Sequence, residues 1–463
     1  MYKFKKNLQI SFEDFNMPNG VELDPENRWV KKADLIPWTE IEIRYAKLFK
    51  SGTGNVAKPL RLALGALLIY TEYASFSDEE VVLQIQETPC LQYFCGFPGF
   101  TNDKPFDSTL MTHFRKRLTA EILGEINEMI ITNATKNADE NSDDSGDNQG
   151  DLIVDATCAP QNIRYPQDIN LLNESRENLE KMIDKLHDPK DGVKPRTYRE
   201  NARKDYLNCI RKKNKSGKQI RKAIKKQIHY ICRDYNIICD YLDGGKPLSD
   251  SDLERFDTIR NLYDQQLEMY HNNSHKVDNR IVSLSQPWVR PIVRGKAKSK
   301  VEFGAKLDIS VDGGGFTRLE HTSFDSYNES QNLVDIIERY KSRTGRYPKR
   351  VLADKIYRNK DNIKFCQERK IEFLGKPLGR PKKDFIPDKK ATRKSEIDRI
   401  EVERKFSQAK GSHGLGLIKC RLKNTSLTAI ALSIVALNIA HIWRVLWMIF
   451  CFLFAPRKWA VVR

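Results

Sequence analysis

Nine cysteines are scattered through 463 residues, and no two of them form a CxxC pair. Their odd number and wide spacing exclude a disulfide framework of the small secreted kind and offer no zinc pattern, so reduced thiols are expected. Long apolar runs are scarce as well. The opening MYKFKKNLQISFEDF is charged but has no apolar stretch behind it, so no signal peptide is expected. Residues 427–455 are apolar, yet Asn438, His441 and Arg444 interrupt them. The unbroken run Val445–Ala455 is 11 residues long, where a bilayer span needs roughly 20. The segment reads as a buried helix followed by a core or oligomer contact, and no membrane partner is expected. A Walker-type phosphate loop is also lacking: Gly313-Gly314-Gly315 has no lysine at the required spacing and reads as a hairpin turn.

What the chain has in excess is positive charge. Lys and Arg number 79 against 62 Asp and Glu, a formal net charge of +17, which favours a polyanionic partner. With 40% hydrophobic and 30% charged residues, the chain reads as globular and large enough for several domains.

Residues 1–40 read as an irregular arm, and the pattern from Trp38 to about Ala134 is helical. Leu60, Leu64, Leu67 and Leu68 mark one apolar face behind Pro59. Ser77 heads the next helix as its N-cap. FDSTLMTHFRKRLTAEIL reads as another helix, whose Arg115, Lys116 and Arg117 suit contact with a phosphate backbone. KNADENSDDSGDNQGD (136–151) is acidic and almost free of apolar side chains, and so reads as a linker. After a strand, DLIVDAT, residues of about 170–280 are helical and polar. Leu179, Met182, Ile183 and Leu186 form one stripe there. The stretch Arg211–Arg233 sets Ile220, Ile224, Ile228 and Ile231 against a cationic face that includes Arg221, Lys222, Lys225 and Lys226. VEFGAKLDISVDG and GFTRLEHTSFD read as a hairpin. They are followed by a helix, the strand of KRVLADKIYRN, a short helix and a short strand. A basic loop over 376–394 contains Arg380, placed as for a minor-groove arm, and a long helix comes after it.

Three acids stand out along this order. Asp155 and Asp354 each end an apolar strand, and Glu403 lies in RIEVERKFSQAK with Arg399 four residues before it and Lys410 seven after, near one face at about 100° per residue. Magnesium takes hard oxygen ligands, and three carboxylates suit two ions about 3.5–4 Å apart sharing a scissile phosphate. Each acid taken alone is more simply a turn cap or a surface residue. His321 and His413, the histidines nearest these motifs, read as structural.

IVDATCAPQNIRYPQDINLLNESRE, QPWVRPIVRGKAKSKVEFGAKLDIS and VLADKIYRN resemble bacterial insertion-sequence transposases of the DDE type. The third motif of that family is tyrosine, two residues, arginine, three residues, glutamate, six residues, lysine. Arg399, Glu403 and Lys410 fit it, which selects Glu403 over Glu401, while Glu396 stands where the family has tyrosine. The resemblance implies an α/β, ribonuclease-H-like mixed sheet flanked by helices, with an N-terminal all-α domain and a helical basic insertion after the first core strand. It divides the chain into an N-terminal helical DNA-binding domain (1–135), a linker (136–151), the first core strand (152–168), the insertion (169–300), the rest of the core (301–426), and an apolar helix and tail (427–463). It further implies Asp155, Asp354 and Glu403 as catalytic ligands of two Mg²⁺ or Mn²⁺ ions, and Arg399 and Lys410 on DNA. The expected activity is cleavage at the inverted repeats that end the element and joining of the 3′ ends to target DNA, by a homo-oligomer on double-stranded DNA in the nucleoid-bearing cytoplasm. A metal-dependent nuclease that does not join, or a catalytically inactive DNA-binding protein, remains as an alternative.

Overall fold

The computed structural model describes residues 2, 12–18, 22–49, 53–136, 148–293, 301–373 and 389–454. Most of the expected linker and the loop bearing Arg380 lie outside these residues. In chain order the elements begin with helices α1 (Arg28–Leu35), α2 (Trp38–Ala46), α3 (Leu60–Glu72), α4 (Asp78–Glu87), α5 (Pro89–Phe94), α6 (Leu110–Arg117) and α7 (Ala120–Thr135). Strand β1 (Asp151–Pro160) precedes helices α8 (Asp168–Leu186), α9 (Arg199–Ile210), α10 (Gly217–Asp243) and α11 (Asp250–His271). Then come β2 (Arg290–Val293), β3 (Val301–Asp312), β4 (Thr317–Ser323), α12 (Leu333–Thr344), β5 (Arg350–Ala353), α13 (Lys360–Glu368), β6 (Glu372–Phe373), α14 (Lys389–Ser412) and α15 (Lys423–Phe454).

The chain separates into two compact units. One comprises Met1–Pro160, Lys306–Ser323 and Tyr327–Arg463, the other Gln161–Ala305 and Phe324–Ser326. In the first unit β1 lies between β3 and β5, β4 pairs with β3, and β6 follows β5. β1 and β5 are parallel, as are β5 and β6, while β3 and β4 are antiparallel. The sheet is therefore mixed. Helices cover both of its faces, which is why DLIV and RVLA read as unbroken apolar runs. Leu152, Val154 and Val351 pack with Leu333, Ile336 and Ile337 of α12. Ile153 and Leu352 face the other way, onto Val402 of α14.

α3 is apolar on more than one face: every residue from Leu60 to Ile69 is buried. Arg61 joins that interior by donating to the carbonyls of Tyr93 (2.8 Å) and Phe94 (3.0 Å). Ser77 caps α4 by accepting from the Glu80 amide at 3.1 Å. The helix expected over FDSTLMTHFRKRLTAEIL is broken. α6 ends at Arg117, Leu118 leaves helical geometry, and α7 starts after Thr119.

α15 completes the helical core of this unit, packing Ala431, Leu432, Val435, Ala436, Ile439 and Ile442 among the residues of α1–α7. By length and composition it is the one helix among the described residues able to cross a membrane, but 61% of its apolar window is buried in the protein. The polar interruptions at Asn438, His441 and Arg444 fall three apart, on one stripe. Asn438 is fully buried. Its Nδ2 donates to Asn127 Oδ1 (2.8 Å) and the Thr317 carbonyl (2.7 Å), and its Oδ1 accepts from the Thr317 amide (2.9 Å). His441 Nε2 donates to the Gly314 carbonyl at 2.9 Å, and Arg444 donates to Gln408 at 3.0 Å. The stripe thus binds α15 to α7, to the β3–β4 hairpin and to α14.

The second unit is built on α8, α10 and α11. Leu179, Met182, Ile183 and Leu186 meet Ile228, Ile231, Ile238, Phe256, Ile259 and Leu262. α10 starts at Gly217 with a capping box from Ser216 and Gln219, so the first residues of the basic stretch precede the helix. Of its expected isoleucine face, Ile228 and Ile231 are buried and Ile220 is exposed.

Asp234 of α10 is fully buried, and neither of its carboxylate oxygens has a hydrogen-bond partner. Burial, reinforced by Glu180, pushes its pKa from 3.8 up to about 8, against the pull of Arg176, Arg233 and Arg199. A carboxyl group with a raised folded-state pKa binds its proton more tightly when folded. Its contribution to stability therefore falls as pH rises from about 4 and levels off above about 8. Asp234→Asn should melt higher than the parent chain at about pH 8.5, with the difference closing as pH is lowered towards about 4.5, as read by calorimetry.

Candidate active site and nucleic-acid interface

The parallel register of β1 and β5 sets Val154 opposite Ala353. Asp155, expected to end its strand, lies within β1, which runs on to Pro160, whereas Asp354 is the first residue past β5. The two backbones therefore lie side by side where the β1–β5 pairing ends, neighbouring strands being about 4.8 Å apart. By the two-residue alternation of a strand, both positions share the side of Ile153 and Leu352, the side covered by α14. Arg350 holds this register. Its guanidinium is paired with Asp151 on β1 and reaches Asp398 of α14 at 3.3 Å.

α14 docks through Val402, fully buried among Ile153, Val311 and Leu352, with Phe406 packed beside it. Glu403 follows Val402 directly and is exposed. Arg399, one turn earlier, links the acids: its Nη1 lies 3.9 Å from Asp155 and its Nη2 lies 3.8 Å from Glu403. Glu401 is turned elsewhere, towards Arg404 (3.3 Å) and Lys405 (3.9 Å). Among the described residues no three His, Cys, Asp or Glu side chains are gathered closely enough to hold a metal ion together. Asp155 and Asp354 stand where the β1–β5 pairing ends, while Glu403 is linked to Asp155 through the Arg399 guanidinium.

Each aspartate also accepts a hydrogen bond from the amide that follows it. Asp155 Oδ1 accepts from the Ala156 amide (2.8 Å), and Asp354 Oδ1 accepts from the Lys355 amide (2.7 Å), capping the single 3₁₀ turn Lys355–Tyr357. Burial raises the Asp155 carboxyl to about 6. The Ala156 amide and Arg399 oppose this, and the charges of Asp354 and Glu329 add to it. The donor chemistry fits a hard divalent cation, because the three side chains offer carboxylate oxygen alone. A cation beside Asp155 would offset the burial that now disfavours its charge.

The profile of the family described as Transposase DDE domain matches residues 351–440, which include Asp354, Arg399, Glu403 and Lys410. A second, described as Transposase domain (DUF772), matches residues 21–117. A Rhizobium meliloti protein, the uncharacterized ORF8 of the nfe locus, is 30% identical over 150 residues, 32% of this chain and 69% of that protein. The chain belongs to the DDE transposases of bacterial insertion sequences. No solved structure matches it significantly.

The cations expected on DNA are placed very unequally in the transposase. Arg115 is buried, forms paired hydrogen bonds with Asp78 (2.8 and 2.5 Å), and lies over Tyr70 at 4.5 Å. It fixes α6 to α4 and is withdrawn from the surface. Lys116 is exposed, whereas Arg117 lies over the Phe49 ring at 4.4 Å. In α10, Arg221 stacks on Tyr270 at 4.2 Å and donates to Asn273 and to the Tyr270 carbonyl, both at 2.8 Å. Lys226 pairs with Asp205 at 2.7 Å. Lys222 and Lys225 are exposed. Lys410 is half-buried on α14, and Arg380 lies outside the described residues.

Several residues near the acids carried no motif in the sequence. Lys405 is buried, hydrogen-bonded to His441 Nδ1 at 3.2 Å, and lowered by burial to about 8. Glu329, Asp308 and Tyr357 lie close enough to one another and to Asp155 for their charges to act on it or on each other. His413 is buried, and burial lowers it to about 4, in keeping with a structural role.

Val402 anchors α14 on the sheet, so loosening it should cost stability: Val402→Ala should lose about 2 kcal/mol in urea unfolding.

Proposed function

We propose that this transposase binds the terminal inverted repeats of its own element, cuts the strand at each end, and joins the freed 3′-hydroxyls to target DNA. The observation that carries this reading is that Asp155 and Asp354 each follow directly on the paired Val154 and Ala353, with Glu403 on the helix α14 that covers the same side and linked to Asp155 through Arg399. The strand order supports a ribonuclease-H-like core: a central strand has an antiparallel hairpin on one side, two further parallel strands on the other, and helices on both faces.

In this reading Asp155, Asp354 and Glu403 hold two Mg²⁺ ions, with Mn²⁺ as a substitute. When bound, such a pair supplies activation of the attacking water or 3′-hydroxyl and stabilisation of the departing 3′-oxygen. Asp155 and Asp354 are preset by the sheet. Glu403 closes the site from a helix whose arginine spans the gap, and Arg399 is the group placed to exchange its carboxylate contacts for a DNA phosphate. Lys410 contacts the strand further along. Lys116, Lys222 and Lys225 supply exposed charge along the duplex. The enzyme acts as a homo-oligomer, since two ends must be joined in one event, and it works in the cytoplasm on nucleoid DNA.

Asp155→Asn, Asp354→Asn and Glu403→Gln should each abolish cleavage of a labelled element end while leaving its binding intact. Cleavage by Asp155→Asn equal to that of the parent chain would refute the reading, and so would a parent chain that binds such DNA but never cuts it. Affinity should fall steeply with salt, and Lys222→Ala with Lys225→Ala should each reduce the slope of log affinity against log salt by about one. Strand transfer of a pre-cut end separates a transposase from a nuclease that only cuts.

A further inference from the structure

Glu329 opens the 3₁₀ turn Glu329–Asn332 ahead of α12. Its side chain is 15% exposed and pairs with Lys306 of β3 at 2.5 Å. Lys306 also donates to the Tyr327 carbonyl at 2.9 Å and lies 4.8 Å over the Tyr327 ring. Asp308, two residues further along β3, is fully buried and accepts from Tyr327 Oη (2.9 Å) and Asn332 Nδ2 (2.6 Å). The turn carrying Glu329 packs on the turn that follows Asp354. Asn362 Nδ2 ties the two together by donating to the Ser330 and Tyr357 carbonyls, both at 2.8 Å. Glu329 is thereby anchored to the same loop that presents Asp354.

A second observation points into this cluster. Tyr357 is fully buried, and its hydroxyl has no hydrogen-bond partner. The carboxylates whose charges bear on that hydroxyl are Asp308, Glu329 and Asp155. A buried donor left without an acceptor is costly. Such a group is accounted for when a ligand, or a carboxylate that moves towards the ligand, supplies the acceptor. Glu329 also bears on Asp155 directly, adding to the rise of its carboxyl.

We propose that Glu329 is a further carboxylate of the divalent-cation site, held by Lys306 until a cation displaces the ammonium, with Tyr357 as the positioning residue that receives the rearranged carboxylates. This rests on the reading of Asp155 and Asp354 as cation ligands. Lys306 and an incoming cation compete for one carboxylate, so removing either partner of the ion pair should move cation affinity in opposite directions.

The test is Mn²⁺ binding to the full chain, followed by the paramagnetic resonance signal of free Mn²⁺ and paired with thermal melts. Glu329→Gln should weaken Mn²⁺ binding about tenfold, and Lys306→Met should tighten it. Both variants lose the same ion pair, so a pair that only stiffens the turn would lower both melting temperatures and leave both affinities unchanged. That result would overturn the proposal. Asp155→Asn separates the two levels of the argument. If it weakens Mn²⁺ binding while Glu329→Gln does not, Glu329 alone is excluded; if it too has no effect, the underlying reading of the site fails.

Discussion

The structure turns on the parallel pairing of β1 with β5. In a parallel ladder, side chains two residues apart share a face, and a slip of one residue would send Asp155 and Asp354 to opposite sides of the sheet. Arg350 guards against that slip, since its guanidinium bonds Asp151 at the start of β1 and Asp398 on α14. One side chain thus sets strand register and helix position together. The two aspartates follow from this geometry, while their own hydrogen bonds are local, Asp155 to the next amide of its strand and Asp354 as a turn cap.

The helices around the sheet extend the same constraint. α12 covers Leu152 and Val154, and α14 covers Ile153 and Leu352, so each strand is gripped from both faces. α15, although remote in sequence from α1–α7, fills their core and donates through Asn438 and His441 to the β3–β4 hairpin. A buried polar group is costly unless paired, and each polar side chain on that stripe is paired. The residues that interrupt the apolar run of α15 therefore tie it to the rest of its unit.

Electrostatics in this protein divides into charge that works inside and charge that faces solvent. Arg61, Arg115 and Arg176 are buried and hydrogen-bonded to carbonyls or carboxylates, and they contribute to packing. Lys116, Lys222 and Lys225 face solvent and suit a polyanion. The net charge of +17 does not distinguish the two sets.

The sequence by itself determined a good deal. Apolar runs ending in acid marked β1 and β5, Ser77 marked a cap, glycines marked the β3–β4 turn, and the spacing of Arg399, Glu403 and Lys410 marked a helix bearing one motif. These are local signals, carried by period, cap chemistry and turn chemistry over a few residues. The tertiary structure decided what depends on partners far along the chain: that Arg115 faces Asp78, that FDSTLMTHFRKRLTAEIL breaks at Leu118, that α15 packs beside α7, and that the turn carrying Glu329 packs on the turn after Asp354. Burial and electrostatic neighbourhood are set by non-local packing, and no short window of sequence contains it.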